Sequence, residues 1–337
     1  MRLKGLKSVL VVLLGMVNFW SQAQDVHFSQ FDYNPVFQNP GNVGQFTGDL
    51  RFHVNYKDQW RRVTVPFQTT SLSVETRIKK VDGLAFGVYL FHDVVGDGSL
   101  RTVEFVPSVS YLLKLTPDST HTLRPGFQIG INSRSLQFDQ FYFDNQFNGI
   151  FFDPSLPTGE NLGNLSKTNV TIGAGFVYEF YMDERNKITA GTGLFNINRP
   201  NQGFIGPKVQ RDMRFNLMAR YQRKLDPDWD ILPSLQFNVQ GKYKELIFGA
   251  QAKYYLENRN GNYKALYGGL YLRNRDALYL LLGMDWQNIW AGISYDINVS
   301  QLIPASNARG GLELSFRYIL TRFKPKNIKH RVCPDFI

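Results

Sequence analysis

The sequence predicts an all-β fold: a transmembrane antiparallel β-barrel of about fourteen strands, with short periplasmic turns and longer external loops. Three observations carry this. Apolar and polar residues alternate with a period of two along most of the chain, the mark of strands with two unlike faces. Most of the alternating segments run roughly 8–14 residues, the length a tilted strand needs to cross a bilayer. Beyond the N-terminal stretch, no apolar run approaches the roughly 20 residues of a spanning helix.

The N-terminal stretch reads as a secretory signal peptide, residues 1–23. Arg2, Lys4 and Lys7 form its basic start, Val9 to Trp20 its apolar core, and Ser21-Gln22-Ala23 supplies the small residues of a cleavage site after Ala23. Residues 24–48 form a segment ahead of the first strand, in the periplasm or folded into the lumen. Its Asn34-Pro35 and Asn39-Pro40 pairs force extended or turn backbone. It reads as an irregular plug or docking strap, with a disordered leader as the alternative.

The barrel occupies 49–321. Its expected strands are 49–56, 68–78, 84–92, 101–115, 121–133, 168–182, 187–195, 213–224, 229–240, 243–256, 263–273, 277–286, 288–298 and 310–321. In the first, Leu50, Phe52, Val54 and Tyr56 alternate with Arg51, His53 and Asn55. In the last, Leu312, Leu314, Phe316 and Tyr318 alternate with Glu313, Ser315 and Arg317. With the N-terminus periplasmic, the turns after even-numbered strands fall in the periplasm. All are short, and most are rich in Asp, Asn, Gly or Pro, which supply turn geometry. The connections 57–67, 134–167, 196–212 and 299–309 fall outside. An even strand count leaves both mature termini in the periplasm, including a basic tail, 322–337. A soluble β-sandwich would alternate too. Against it stand segment length and Trp60, Trp229, Trp286 and Trp290 at segment ends, where an interfacial girdle places aromatics.

Composition agrees. The chain holds 27 Phe and 17 Tyr in 337 residues, types that fit a pleated surface. Its mean hydropathy of −0.27 suits a barrel with one lipid-facing and one lumen-facing residue in each pair. The net charge of +10 gathers at the two ends of the chain, so no basic face for nucleic acid is expected. The one cysteine, Cys333, permits no internal disulfide and no Cys-based metal site.

No enzyme motif appears. His27, His53, His92, His121 and His330 lack metal-ligand spacing, and neither a Gly-x-Ser-x-Gly elbow nor a phosphate-binding loop is present. No catalytic residue, cofactor or metal is expected. His53 and Ser73 could share a lumen, where ordinary polar wall residues are the plainer reading.

Two stretches carry a family resemblance. One runs Asp25-Val26-His27-Phe28-Ser29-Gln30-Phe31, then Asn34-Pro35, Asn39-Pro40-Gly41, Arg51, Asn55-Tyr56, Gln59-Trp60 and Thr69 to Ser73. The other runs Ser294 to Val299, Pro304-Ala305-Ser306-Asn307, Gly310-Gly311-Leu312-Glu313 and Cys333-Pro334-Asp335-Phe336. Together they resemble the PorP/SprF outer-membrane proteins of the type IX secretion system. The resemblance implies a non-enzymatic barrel in the cell outer membrane that supports secretion or surface attachment of large cargo, such as gliding adhesins. It implies partners among the type IX components, with a peptidoglycan-binding protein in some members.

Candidate partner contacts follow: Phe28, Asn34 and Pro35 in the strap; Trp60 and Arg61, interface-type residues, in the first loop; Pro304, Ser306 and Asn307 between the last two strands; Cys333 and Phe336 in the tail. A membrane-interface anchor is the plainer reading of Trp60, and a plain loop the alternative for 304–307. A porin or hydrophobic-solute transport barrel is the competing function.

Overall fold

The structure is a computed structural model describing residues 26–61, 65–96, 98–137, 141–160, 165–259, 262–300 and 303–321. The expected leader 1–23 and tail 322–337, with Cys333 and Phe336, lie outside the described residues.

Fourteen antiparallel strands close into one barrel. They are β1 (Leu50–Gln59), β2 (Phe67–Arg77), β3 (Leu84–Val95), β4 (Leu100–Tyr111), β5 (His121–Ser135), β6 (Ser166–Tyr181) and β7 (Lys187–Phe195). The second half holds β8 (Arg214–Lys224), β9 (Trp229–Gln240), β10 (Tyr243–Arg259), β11 (Asn262–Arg273), β12 (Ala277–Trp286), β13 (Ile289–Asn298) and β14 (Arg309–Leu320). A two-residue continuation of β4, Leu113–Lys114, also pairs with β5. Each strand pairs with its sequence neighbour, and β1 pairs with β14 from Leu50↔Leu320 to Gln59↔Gly311. Closure leaves the sheet no unpaired edge, the condition for strands in hydrocarbon. Among the described residues, no helix is long and apolar enough to cross a membrane.

Burial is inverted relative to a soluble protein. Leu282, Leu280, Leu270 and Ile131 face outward and are 63, 53, 52 and 51% exposed, while Glu75, Arg273, Glu313 and Lys57 face inward and are 0–2% exposed. A sandwich would bury the leucines and wet the charges, so this distribution decides for the membrane barrel. Leu282 lies mid-strand between outward Gly268 and Ile293. We expect Leu282→Arg to destabilise the barrel by about 2–4 kcal/mol, the cost of a cation at the bilayer midplane. Urea unfolding in liposomes measures it.

The ends of the barrel differ as the turn parity required. Short turns join β2–β3, β4–β5, β6–β7, β8–β9, β10–β11 and β12–β13; the longest connections, 136–165, 196–213 and 299–308, share the other end. The β5–β6 hairpin pairs as far as Ser135↔Ser166, so part of the expected loop 134–167 is ladder. Trp229 and Trp286 face outward near the short-turn end, 42 and 50% exposed. Trp290 departs from the expected girdle. It sits one position off the outward parity of β13 and is fully buried in the lumen.

The hydrophobic core lies inside the barrel, and the N-terminal segment builds it. Residues 26–48 fill the lumen with short turns around a four-residue helix, α1 (Pro35–Gln38). Phe28, Val36 and Val43 pack on Ala85, Tyr89, Phe91 and Val106 of β3 and β4. Phe31 packs on Ile247, Tyr271 and Tyr279, and Tyr33 joins Trp290, Tyr267 and Leu281. Burying a phenylalanine contributes about 1.5–3 kcal/mol, so Phe28 and Phe31 alone hold this plug firmly.

Candidate functional site

The plug and the two barrel mouths it separates form the candidate site. Alternation along β1 and β14 turns Lys57, Arg51, Glu313 and Ser315 inward, where buried charge needs partners. The plug backbone supplies them. Glu313 accepts Ser29 N at 2.7 Å and Gln30 N at 3.0 Å, and its own carbonyl accepts Gln30 Nε2 at 2.9 Å. Lys57 Nζ donates to the His27 carbonyl at 3.0 Å. Arg273 Nη2 donates to Ser29 Oγ at 2.8 Å, and Ser29 Oγ in turn donates to Asp296 at 2.8 Å. Arg273 also pairs with Asp276 at 2.9 Å, Asp296 at 3.2 Å and Glu245 at 3.5 Å.

Lower in the lumen, Tyr33 Oη donates to Gln251 at 2.6 Å, and its ring stacks on Trp290 with centroids 4.1 Å apart. Gly283 makes the space: a Cβ there would lie 2.1 Å from the Trp290 ring. Asn39 donates to the Thr192 carbonyl at 2.9 Å. At the last plug turn, Gly44 N donates to Glu75 at 3.0 Å, and Arg51 Nε reaches the same carboxylate at 2.9 Å.

These contacts correct one expectation. The mature N-terminal end was expected beside the tail, at the short-turn end. His27 instead lies at the long-loop mouth, with Lys57 near the end of β1, Glu245 near the start of β10 and Arg273 at the end of β11. Its neighbours are lumen charges of the wall, to which this segment adds the His27 carbonyl and the Ser29 hydroxyl as partners. The segment runs from there down the lumen to the foot of β1, so it does not start where β1 starts.

The expected partner residues fall into two groups. Phe28 and Asn34 are each 1% exposed, and Pro35 is buried. Asn34 Nδ2 donates to Ser71 at 3.0 Å, and the Pro35 carbonyl accepts Asn39 N at 3.0 Å. Phe28 and Asn34 seat the plug against the wall, whereas the Pro35 bond lies within the plug and Pro35 lines the short-turn cavity. Trp60, Arg61, Pro304 and Asn307 lie at the long-loop rim, where Trp60 N donates to the Gly310 carbonyl at 3.1 Å. Arg61 pairs with Asp58, Trp60 packs edge-on against Phe67 at 4.9 Å, and Pro304 and Asn307 are exposed. Ser306 is buried, 3% exposed.

His53 and Ser73 stand opposite each other across the β1–β2 ladder, on the shared inner face that alternation implied. Neither His53 nitrogen nor Ser73 Oγ makes a hydrogen bond among the described residues, so these two form no Ser–His–Asp relay.

Two cavities flank the plug. The long-loop cavity, about 810 Å³, is lined by Val26, His27, Phe37, Phe91, Glu104 and Arg211 among others. The short-turn cavity, about 580 Å³, is lined by polar and basic side chains beneath α1 and Gly44. Sequence reasoning missed Arg273, Asp296 and Glu245 as plug anchors. Their signal was present: charged residues at inward parity of β10, β11 and β13, with no opposite charge on their own strand at that parity nearby.

His27 gives a pH test. Burial, helped by Arg273 and Lys57, holds its pKa well below the ordinary 6.5. Glu245 lies 3.6 Å away and would favour the charged ring, but that carboxylate is shared with Arg273 and accepts Asn238 at 2.8 Å, so the neutral form wins. A depressed pKa means the folded state resists protonation. Stability present above pH 6.5 is lost as pH falls below it. Protease cleavage of the plug should therefore rise between about pH 6.5 and 5, and His27→Gln should flatten the profile.

No curated protein matches the chain in sequence. Among solved structures, the chain is similar to the toluene transporter TodX of Pseudomonas putida, with 10% identity, a TM-score of 0.52, and coverage of 84% of this chain and 92% of that one. It is likewise similar to the toluene transporter TbuX of Ralstonia pickettii, with 11% identity, a TM-score of 0.50, and coverage of 86% and 94%. At such identities these likenesses show the barrel fold alone. Residues 20–318 match the family described as type IX secretion system membrane protein PorP/SprF. With a closed outer-membrane barrel and a family match over nearly its whole length, the chain belongs to the PorP/SprF family of type IX secretion system membrane proteins.

Proposed function

We propose that this outer-membrane component of the type IX system acts without catalysis, as a scaffold supporting secretion or surface attachment of large cargo such as gliding adhesins. One observation carries the reading: its lumen is filled by residues 26–48, tied to the wall by buried charge. A barrel so closed offers its rims and its ends to partners rather than an open path to solutes. On this reading the long loops face outward and present Trp60, Arg61, Pro304 and Asn307 to surface proteins. The leader is cleaved near Ala23, and the tail 322–337 docks on periplasmic components of the machinery, a peptidoglycan-binding protein among them.

Gene deletion followed by comparison of secreted and surface proteins tests the reading. Selective loss of one or a few large surface proteins is the expected result. Normal secretion with altered uptake of small solutes would support a transport barrel instead. Deleting 324–337 should leave the barrel assembled but abolish co-purification with type IX components; unchanged co-purification would sink the docking role of the tail.

A further inference from the structure

The short-turn cavity carries an unbalanced charge. Six cations line it, Arg51, Arg77, Arg124, Lys187, Arg220 and Arg317, against two carboxylates, Asp32 and Glu179. Three of the cations are answered: Arg51 by Glu75 at 2.8 Å, Arg220 by Asp32 at 3.7 Å and Arg317 by Asp285. Arg77, Arg124 and Lys187 have no carboxylate within ion-pair distance among the described residues. Glu179 accepts the Tyr181 hydroxyl at 2.8 Å. Arg124 stands out. It is 6% exposed, and its Nε has no hydrogen-bond partner. Glu179 attracts it only from beyond ion-pair distance, so this buried guanidinium is under-compensated, and it lines a cavity. A Cβ built on Gly44 would lie 3.5 Å from Arg77 Cγ and 3.6 Å from Arg124 Nη1, so both cations flank the last plug turn. Lys187 approaches from β7.

We propose that this vestibule binds the carboxylates of an acidic peptide segment from a partner protein. The three unanswered cations sit on β2, β5 and β7, so they are spread across the vestibule. Separate cations match successive carboxylates on an extended chain, and guanidinium forks suit carboxylate geometry. Cations spread over three strands suit single charges spaced along a chain better than one compact phosphate. The plug closes the floor, so the segment enters from the short-turn mouth. The inference goes beyond the secretion role above and does not require it.

The test uses the full chain in detergent micelles and a fluorescein-labelled hexaglutamate peptide, followed by fluorescence anisotropy. Saturable binding is expected, weakened about tenfold or more by Arg124→Gln/Lys187→Gln, since each charge-assisted bond counts strongly. Lys244→Gln/Arg275→Gln, at the opposite mouth, should leave it unchanged, as should Lys324→Gln/Lys326→Gln. Retained heat-modifiable gel mobility confirms that each variant is folded. Arg77→Gln alters an exposed side chain and should weaken binding about threefold. Equal binding in both vestibule variants would overturn the proposal, as would absence of saturable binding. So would loss on changing the opposite mouth or the tail, or displacement of the peptide by equimolar inorganic phosphate.

Discussion

Replacing Gly126 with leucine should turn a closed barrel into a conducting one. Gly126 faces the lumen on β5, opposite Ser110 and Gly175. A Cβ there would lie 2.3 Å from Pro40 C and 2.4 Å from both Pro40 O and Gly41 N. Those are backbone atoms and cannot rotate aside as a side-chain tip does. A leucine must push the Pro40–Asn42 turn off the wall, and Asn39 with it, breaking the bond to the Thr192 carbonyl. Overpacking of this kind costs about 1–3 kcal/mol even where side chains can adjust. The outward face offers the control: a Cβ on Gly268 meets nothing within 4 Å. Single-channel recordings in planar bilayers should show stable openings for Gly126→Leu and none for the unchanged chain or Gly268→Leu. Identical traces from all three would mean that the plug does not set conductance.

Arg273→Met should loosen the plug by about 3–5 kcal/mol, the usual consequence of removing one partner from a buried ionic group. Arg273 is 1% exposed, and its removal leaves the carboxylates of Asp296 and Glu245, 2 and 3% exposed, without their principal cation. The Ser29 hydroxyl loses its closer donor as well, keeping Lys57 Nζ at 3.5 Å. The readout is built in. Tyr33 stacks on Trp290, so plug release changes the indole's surroundings and its emission during urea titration. Arg273→Lys should recover only part of the loss, because an ammonium lacks the planar fork that serves several acceptors together. An unshifted transition in Arg273→Met would show that the apolar clusters hold the plug without the charges.

Much of this was legible in the residues. The fourteen strands, their pairing order and the grouping of long connections at one end followed from period-two alternation and turn composition. The interior was harder to read. Trp290 looked like an interfacial anchor because tryptophan at a strand end suits the girdle; only parity within β13 turns it inward. Phe28, Asn34 and Pro35 were expected to meet partners because they lie in the segment before β1 that carries the family resemblance and reads as a plug or docking strap. Nothing local tells a chain that fills a lumen from one that hangs free. What distinguishes them is demand from the wall. Glu313 and Lys57 turn toward backbone groups of the plug and Arg273 toward the Ser29 hydroxyl, and that demand is distributed over strands remote in sequence. The unanswered cations of the short-turn vestibule were hidden for the same reason. They come from β2, β5 and β7, and meet only when the sheet closes.

The contacts of residues 27–34 have one more consequence. Ser29 and Gln30 grip Glu313 and Ser315 on β14, the His27 carbonyl holds Lys57 on β1, and Asn34 reaches Ser71 on β2. The first and last strands are thus clasped from within, over and above their ten-residue ladder. Any sideways parting of the wall at that join must first evict the stopper. Lateral exit of a polypeptide into the lipid and emptying of the lumen would then be one event, with a fixed order: release inside, rupture after.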